Sequence, residues 1–99
     1  MAIARRCYLV SYDIADPARL RRVFRTMKGY GEHWQLSVFF CVLRELDHAR
    51  MKEHLRDIIN QREDQVLVLD LGSDEDRARG TAEVLGQALP PPPSGFLVV

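Results

Sequence analysis

The chain has 99 residues, of which 46% are hydrophobic and 28% charged, and its formal net charge is zero. That supports one modest core and excludes two domains, so residues 1–99 are expected to form a single domain. The composition also excludes collagen, wholesale disorder and a disulfide-dense scaffold.

The zero charge hides an asymmetry. Residues 1–31 carry +5, residues 32–59 carry −1 and residues 60–99 carry −4. A basic first third is either a solvated helix or a face for an anionic partner.

Cys7–Tyr12 is a short apolar run with Tyr and Val, the pattern of a buried strand. It closes on Asp13. Asp16-Pro17 then sets an N-cap and a first helical position. Leu20, Val23, Phe24 and Met27 follow at i, i+3, i+4 and i+7, which predicts an amphipathic helix. Arg21, Arg25 and Lys28 cluster on its other side, with Arg22 at the edge, and Gly29 or Gly31 stops it.

Trp34–Leu43 is β-rich, but its second parity starts polar and turns apolar. It is either one strand bent near Ser37 or two short strands joined tightly. No Gly, Pro or Asn marks a turn there. Asp47 is expected to cap a second helix with an apolar stripe of Met51, Leu55, Ile58 and Ile59, running to about Gln61. Gln65–Leu71 is another strand, Gly72–Gly80 reads as a charged turn, and Thr81–Leu85 as a short strand. Pro90–Pro93 is a stiff connector to a final apolar strand, Phe96–Val99.

This order suggests a ferredoxin-like α+β sandwich of βαββαβ type, an antiparallel sheet with two helices on one face. The Phe96–Val99 strand is expected to dock on a partner copy, which makes the protein a homodimer. Cys7 and Cys41 lie in apolar runs, outside any CxxC pair, and are expected to be reduced core residues. His33, His48 and His54 are not spaced like zinc ligands. The longest apolar runs fall far short of the roughly 20 residues of a membrane span, and no apolar segment of a signal peptide follows Arg5 and Arg6, so a cytoplasmic chain without membrane contact is expected.

Several segments together resemble the small CRISPR-associated adaptation proteins of the Cas-two family. They are Tyr12-Asp13-Ile14 at the end of the first strand, Asp16-Pro17-Ala18-Arg19-Leu20-Arg21-Arg22-Val23, Gly31, and Gln35-Leu36-Ser37-Val38-Phe39. The resemblance implies antiviral defence and spacer acquisition by a homodimer in which Asp13 faces its mate across the two-fold axis. It implies a metal-dependent endonuclease on RNA or DNA, and a bridge between Cas-one integrase subunits. The chain departs from the family pattern at His33, where an Arg is usual, and at Trp34, Leu36 and Phe40.

Phosphodiester cleavage needs neutralised phosphoryl oxygens and an activated water, and Mg²⁺ or Mn²⁺ held by carboxylates supplies both. One Asp is a poor site, whereas two Asp13 side chains across an axis suit an ion that keeps most of its waters. Asp13 is therefore the candidate catalytic and metal residue; the plainer alternative is that it organises the strand-to-helix turn. Arg19, Arg21, Arg22, Arg25 and His33 are the candidate nucleic-acid contacts, His33 acting as a cation only when protonated. Tyr12, Ser37 and Phe39 either line the site or serve packing and strand structure. Three functions remain open: a nuclease, a non-catalytic dimeric adaptor that binds duplex DNA and spaces the integrase subunits, and a toxin-like ribonuclease.

Overall fold

The computed structural model describes residues 4–92. The Phe96–Val99 strand and the last proline of the connector lie outside the described residues. The elements are β1 (Arg5–Asp13), α1 (Pro17–Lys28), β2 (Glu32–Gln35), β3 (Val38–Arg44), α2 (Glu45–Ile58), β4 (Gln65–Gly72) and a short α3 (Glu75–Gly80). The strands form one antiparallel sheet in the order β2-β3-β1-β4. With α1 and α2 on one face, this is the ferredoxin-like arrangement.

Alternation along β1 divides the sheet into two faces. Tyr8, Val10 and Tyr12 point to the helices and meet Phe39, Cys41 and Leu43 of β3, Val23 and Met27 of α1, and Met51 and Leu55 of α2. These ten side chains are the main core. Both cysteines are free and buried, as expected. Burial pushes the Cys41 thiol up to about 12, with nearby Glu32 adding to the shift, so it stays neutral.

Helix α1 begins as its sequence dictates. The Asp16 side chain accepts a hydrogen bond from the Arg19 N–H at 2.9 Å, and Pro17 takes the first turn. Gly29 caps the other end. Gly31 is required for a different reason. A Cβ there would lie 2.5 Å from Cys41 Sγ and 2.6 Å from the Phe40 carbonyl oxygen, so only glycine lets the chain enter β2 so close to β3.

Of the two alternatives for Trp34–Leu43 the structure has two strands, reversed over Leu36-Ser37 with a bulge between His33 and Gln35. Three expectations need correction. The second helix starts at Glu45 and ends at Ile58; Asp47 lies in its first turn and binds Arg44 Nε at 2.9 Å instead of capping it. Gly72–Gly80 is not merely a turn, because Asp74 caps α3 through the Arg77 N–H at 3.1 Å. Thr81–Leu85 forms no strand: it has no ladder partner, and its large side chains Val84 and Leu85 are exposed.

Helix α3 covers part of the second sheet face. Ala78 packs there with Cys7 and Phe40, while Trp34 stacks on Phe40 with ring centroids 4.8 Å apart. Arg79 lies over the Phe40 ring and holds Glu32 through both its terminal nitrogens and Glu75 through Nε. Beyond α3 no element among the described residues covers the second face. Leu67 and Leu69 of β4 are each about half exposed (50% and 49%) beside Leu9, Ser11 and Val38.

Candidate functional site

Asp13 ends β1 opposite Gln65 of β4, exposed and at the margin of the open sheet face. It also borders a cleft of about 630 Å³ between α1 and the β2–β3 hairpin. Tyr12, Arg21, Arg25, His33 and Ser37, all singled out in the sequence, line the same cleft. Of the helix stripe only Val23 and Met27 are buried; Leu20 and Phe24 turn toward the cleft with Ile14 and Leu36.

Tyr12 and Phe39 are primarily core residues. Tyr12 is buried, its burial raises the phenol pKa, and its hydroxyl donates weakly to the Leu36 carbonyl at 3.4 Å. Its N–H donates to the Ser37 carbonyl at 3.1 Å. These two bonds moor the hairpin tip to β1. Phe39 is fully buried and supports the His33 ring from below, with centroids 4.9 Å apart.

The basic residues separate into two groups. Arg21, Arg22, Arg25 and Lys28 have no carboxylate partner among the described residues, so their charge is available to a ligand. Arg19, expected in the same set, is already committed. Its Nε donates to Asp64 at 2.7 Å and its Nη2 to Glu63 at 3.0 Å.

Asp64 has no counterpart in the expectations. Its side chain is fully buried and accepts from the N–H of Ala15 at 2.9 Å, the N–H of Asn60 at 2.8 Å and the Arg19 guanidinium. It ties the loop after Asp13 to the loop before β4. The sequence gives no signal of this, because two of the three partners, Arg19 and Ala15, are 45 and 49 residues away.

The Arg19 guanidinium, aided by the Asn60 and Ala15 N–H groups, holds the Asp64 carboxyl well below the usual carboxylate range despite its burial. Its unfolded value is about 3.9. The stabilisation is therefore present above about pH 4 and is lost as pH falls toward the folded value. Asp64→Asn should lower Tm by on the order of 5–10 °C near neutral pH, and the gap to wild type should narrow as pH drops toward about 2. A gap that stays constant over that range would show that the carboxylate charge is not what matters.

Among the described residues no three His, Cys, Asp or Glu side chains are grouped to hold a metal. Asp13 is the one carboxylate among the described residues lining the cleft, too few ligands to hold a divalent cation within one chain.

The antiparallel sheet with two helices on one face puts the chain in the ferredoxin-like α+β class. Residues 6–79 match the family model for "CRISPR associated protein Cas2". The chain is 52% identical over 73 residues to a CRISPR-associated endoribonuclease Cas2 of Rhodospirillum rubrum, covering 74% of this chain and 72% of the relative. A Geobacter sulfurreducens protein of that name is 48% identical, over 69% of this chain and 72% of the relative. Among solved structures, Streptococcus pyogenes Cas2 superposes with a TM-score of 0.70 at 33% identity, covering 81% of this chain and 99% of that one. A Thermus thermophilus protein of hypothetical status gives 0.74 at 31% identity, covering 90% and 99%. The chain belongs to the Cas2 family of CRISPR-associated proteins. No helix among the described residues is long and apolar enough to cross a membrane.

Proposed function

We propose that this protein is a homodimeric, metal-dependent endonuclease acting on RNA or DNA in CRISPR defence and spacer acquisition. The observation that carries this is the position of Asp13, where an open apolar sheet face meets a cleft edged by unpaired arginines. A second copy covering Leu67 and Leu69 would bring two Asp13 carboxylates to one place. The relatives named endoribonucleases in Rhodospirillum and Geobacter, and an endonuclease in Thermus thermophilus, support the activity.

In this reading Arg21, Arg22 and Arg25 hold the backbone phosphates and the two Asp13 carboxylates hold Mg²⁺ or Mn²⁺. The ion would polarise the scissile phosphate and lower the pKa of a bound water. Arg19 and Asp64 act on Asp13 indirectly, by fixing the backbone that follows it. The test is cleavage of labelled RNA and duplex DNA with Mg²⁺, Mn²⁺ or EDTA, comparing wild type with Asp13→Ala. Cleavage that survives EDTA or the substitution overturns the proposal.

The single carboxylate per chain also favours a second reading: a non-catalytic adaptor that bridges Cas-one integrase subunits on duplex DNA. Asp13→Ala would then leave spacer acquisition intact.

Both readings place phosphate contacts on α1. The log–log salt slope on duplex DNA is about −0.9 per neutralised phosphate. Replacing Arg21 and Arg25 by Ala should flatten it by about one to two units. An unchanged slope would move the binding surface elsewhere.

A further inference from the structure

Contacts to a phosphate backbone need charge and do not need an apolar hollow. The cleft beside Asp13 has both. Leu20, Phe24, Ile14 and Leu36 form its walls, and Leu36 is 90% exposed at the hairpin tip. Its volume of about 630 Å³ falls in the range of small-molecule sites, roughly 300–1,000 Å³.

We propose that this cleft is a stacking pocket for one unpaired nucleobase, with the His33 ring as its platform and Arg21 and Arg25 on the flanking phosphates. The proposal rests on the nucleic-acid reading given above and adds to it a base-stacking subsite, which takes one unpaired base of a single strand or one base turned out of its stack.

The His33 ring is built for this. It lies nearly parallel to the Phe39 ring, at 27° and 4.9 Å between centroids, and meets Phe24 edge-on at 78° and 5.0 Å. Aromatic neighbours thus hold the imidazole on one side and at its edge, yet the residue remains exposed. A ring braced in this way, in an exposed residue bordering the cleft, costs little ordering entropy when a base settles on it. Arg21 and Arg25 stand one turn apart on α1, about 6 Å between Cβ atoms, and both border the same cleft.

A duplex keeps its bases in the stack and presents mainly phosphates at its surface, so it has nothing to place against Leu20 and Leu36. An unpaired base brings a π face and apolar area. Stacking of this kind tolerates any base, because every base has such a face.

The test is fluorescence anisotropy in EDTA with three labelled probes: a single-stranded RNA, a duplex of equal length, and a fully abasic strand. His33→Ala should weaken single-strand binding about 10-fold and leave the duplex and the abasic strand within about twofold. His33→Phe carries no charge at any pH and should restore single-strand affinity to within about twofold of wild type. Leu36→Ser, at an exposed tip, should weaken the single strand alone. The proposal is overturned if His33→Arg binds like wild type while His33→Phe binds like His33→Ala, which would make the residue a cation. Equal losses on all three probes would overturn it too. If the Arg21→Ala, Arg25→Ala double variant binds every probe as wild type does, the nucleic-acid reading of this face fails, whatever His33 does.

Discussion

Asp13→Ala should give a folded protein that binds nucleic acid normally and cleaves it on the order of 10³-fold more slowly. Asp13 is exposed and makes no side-chain hydrogen bond among the described residues, so its removal leaves the core and the Asp64 bracket intact. The loss falls on charge at the reacting phosphate, where a bound ion would stabilise the transition state by several kcal/mol. Asp13→Asn should behave alike, because an amide of the same shape is a far weaker ligand for a hard cation. Single-turnover cleavage, read beside Tm and anisotropy in EDTA, separates this outcome from misfolding. Undiminished cleavage would remove Asp13 from the chemistry.

Leu67→Asp combined with Leu69→Asp should dissociate the proposed homodimer and abolish its proposed cleavage together. Both leucines stand half exposed on the open face, Leu69 opposite Leu9 and Leu67 opposite Ser11. Two carboxylates on that surface would have to be desolvated without partners when a second sheet packs on it, which costs several kcal/mol. The association constant should fall at least about 100-fold, as read by sedimentation equilibrium. Neither side chain belongs to the main core, so the monomer should keep its fold. A double variant that sediments as wild type does would place the interface on another surface.

Where local chemistry decides, the sequence was a good guide. Asp16-Pro17 starts α1 because the cap and the preset φ act within three residues. The apolar run Cys7–Tyr12 read as a buried strand, and Cys7, Tyr8, Val10 and Tyr12 of β1 are buried.

The hairpin was illegible for a physical reason. No residue in the Leu36-Ser37 reversal adopts a positive φ, so no Asn-Gly signal was needed. The reversal is moored instead by Tyr12, 24 and 25 positions away. Helix α3 was hidden by its charge, since Ala78 alone of its six residues is buried.

At the site, the sequence singled out Asp13, Arg21, Arg25 and His33, and the fold gathers them around one cleft. It could not distinguish Arg19, which differs only in having Asp64 within reach.

Among the described residues, helix α3 lids the Cys7 end of the second sheet face and nothing covers the Asp13 end. In the proposed dimer, the surface that a second copy covers would be the surface that leads to the carboxylates. Hiding the leucines from water and completing the centre would then be one event. For an enzyme built that way, abundance would itself be a control. Below the midpoint of association the number of working centres would grow with the square of subunit concentration. Dilution alone would then silence it, with no inhibitor and no modification.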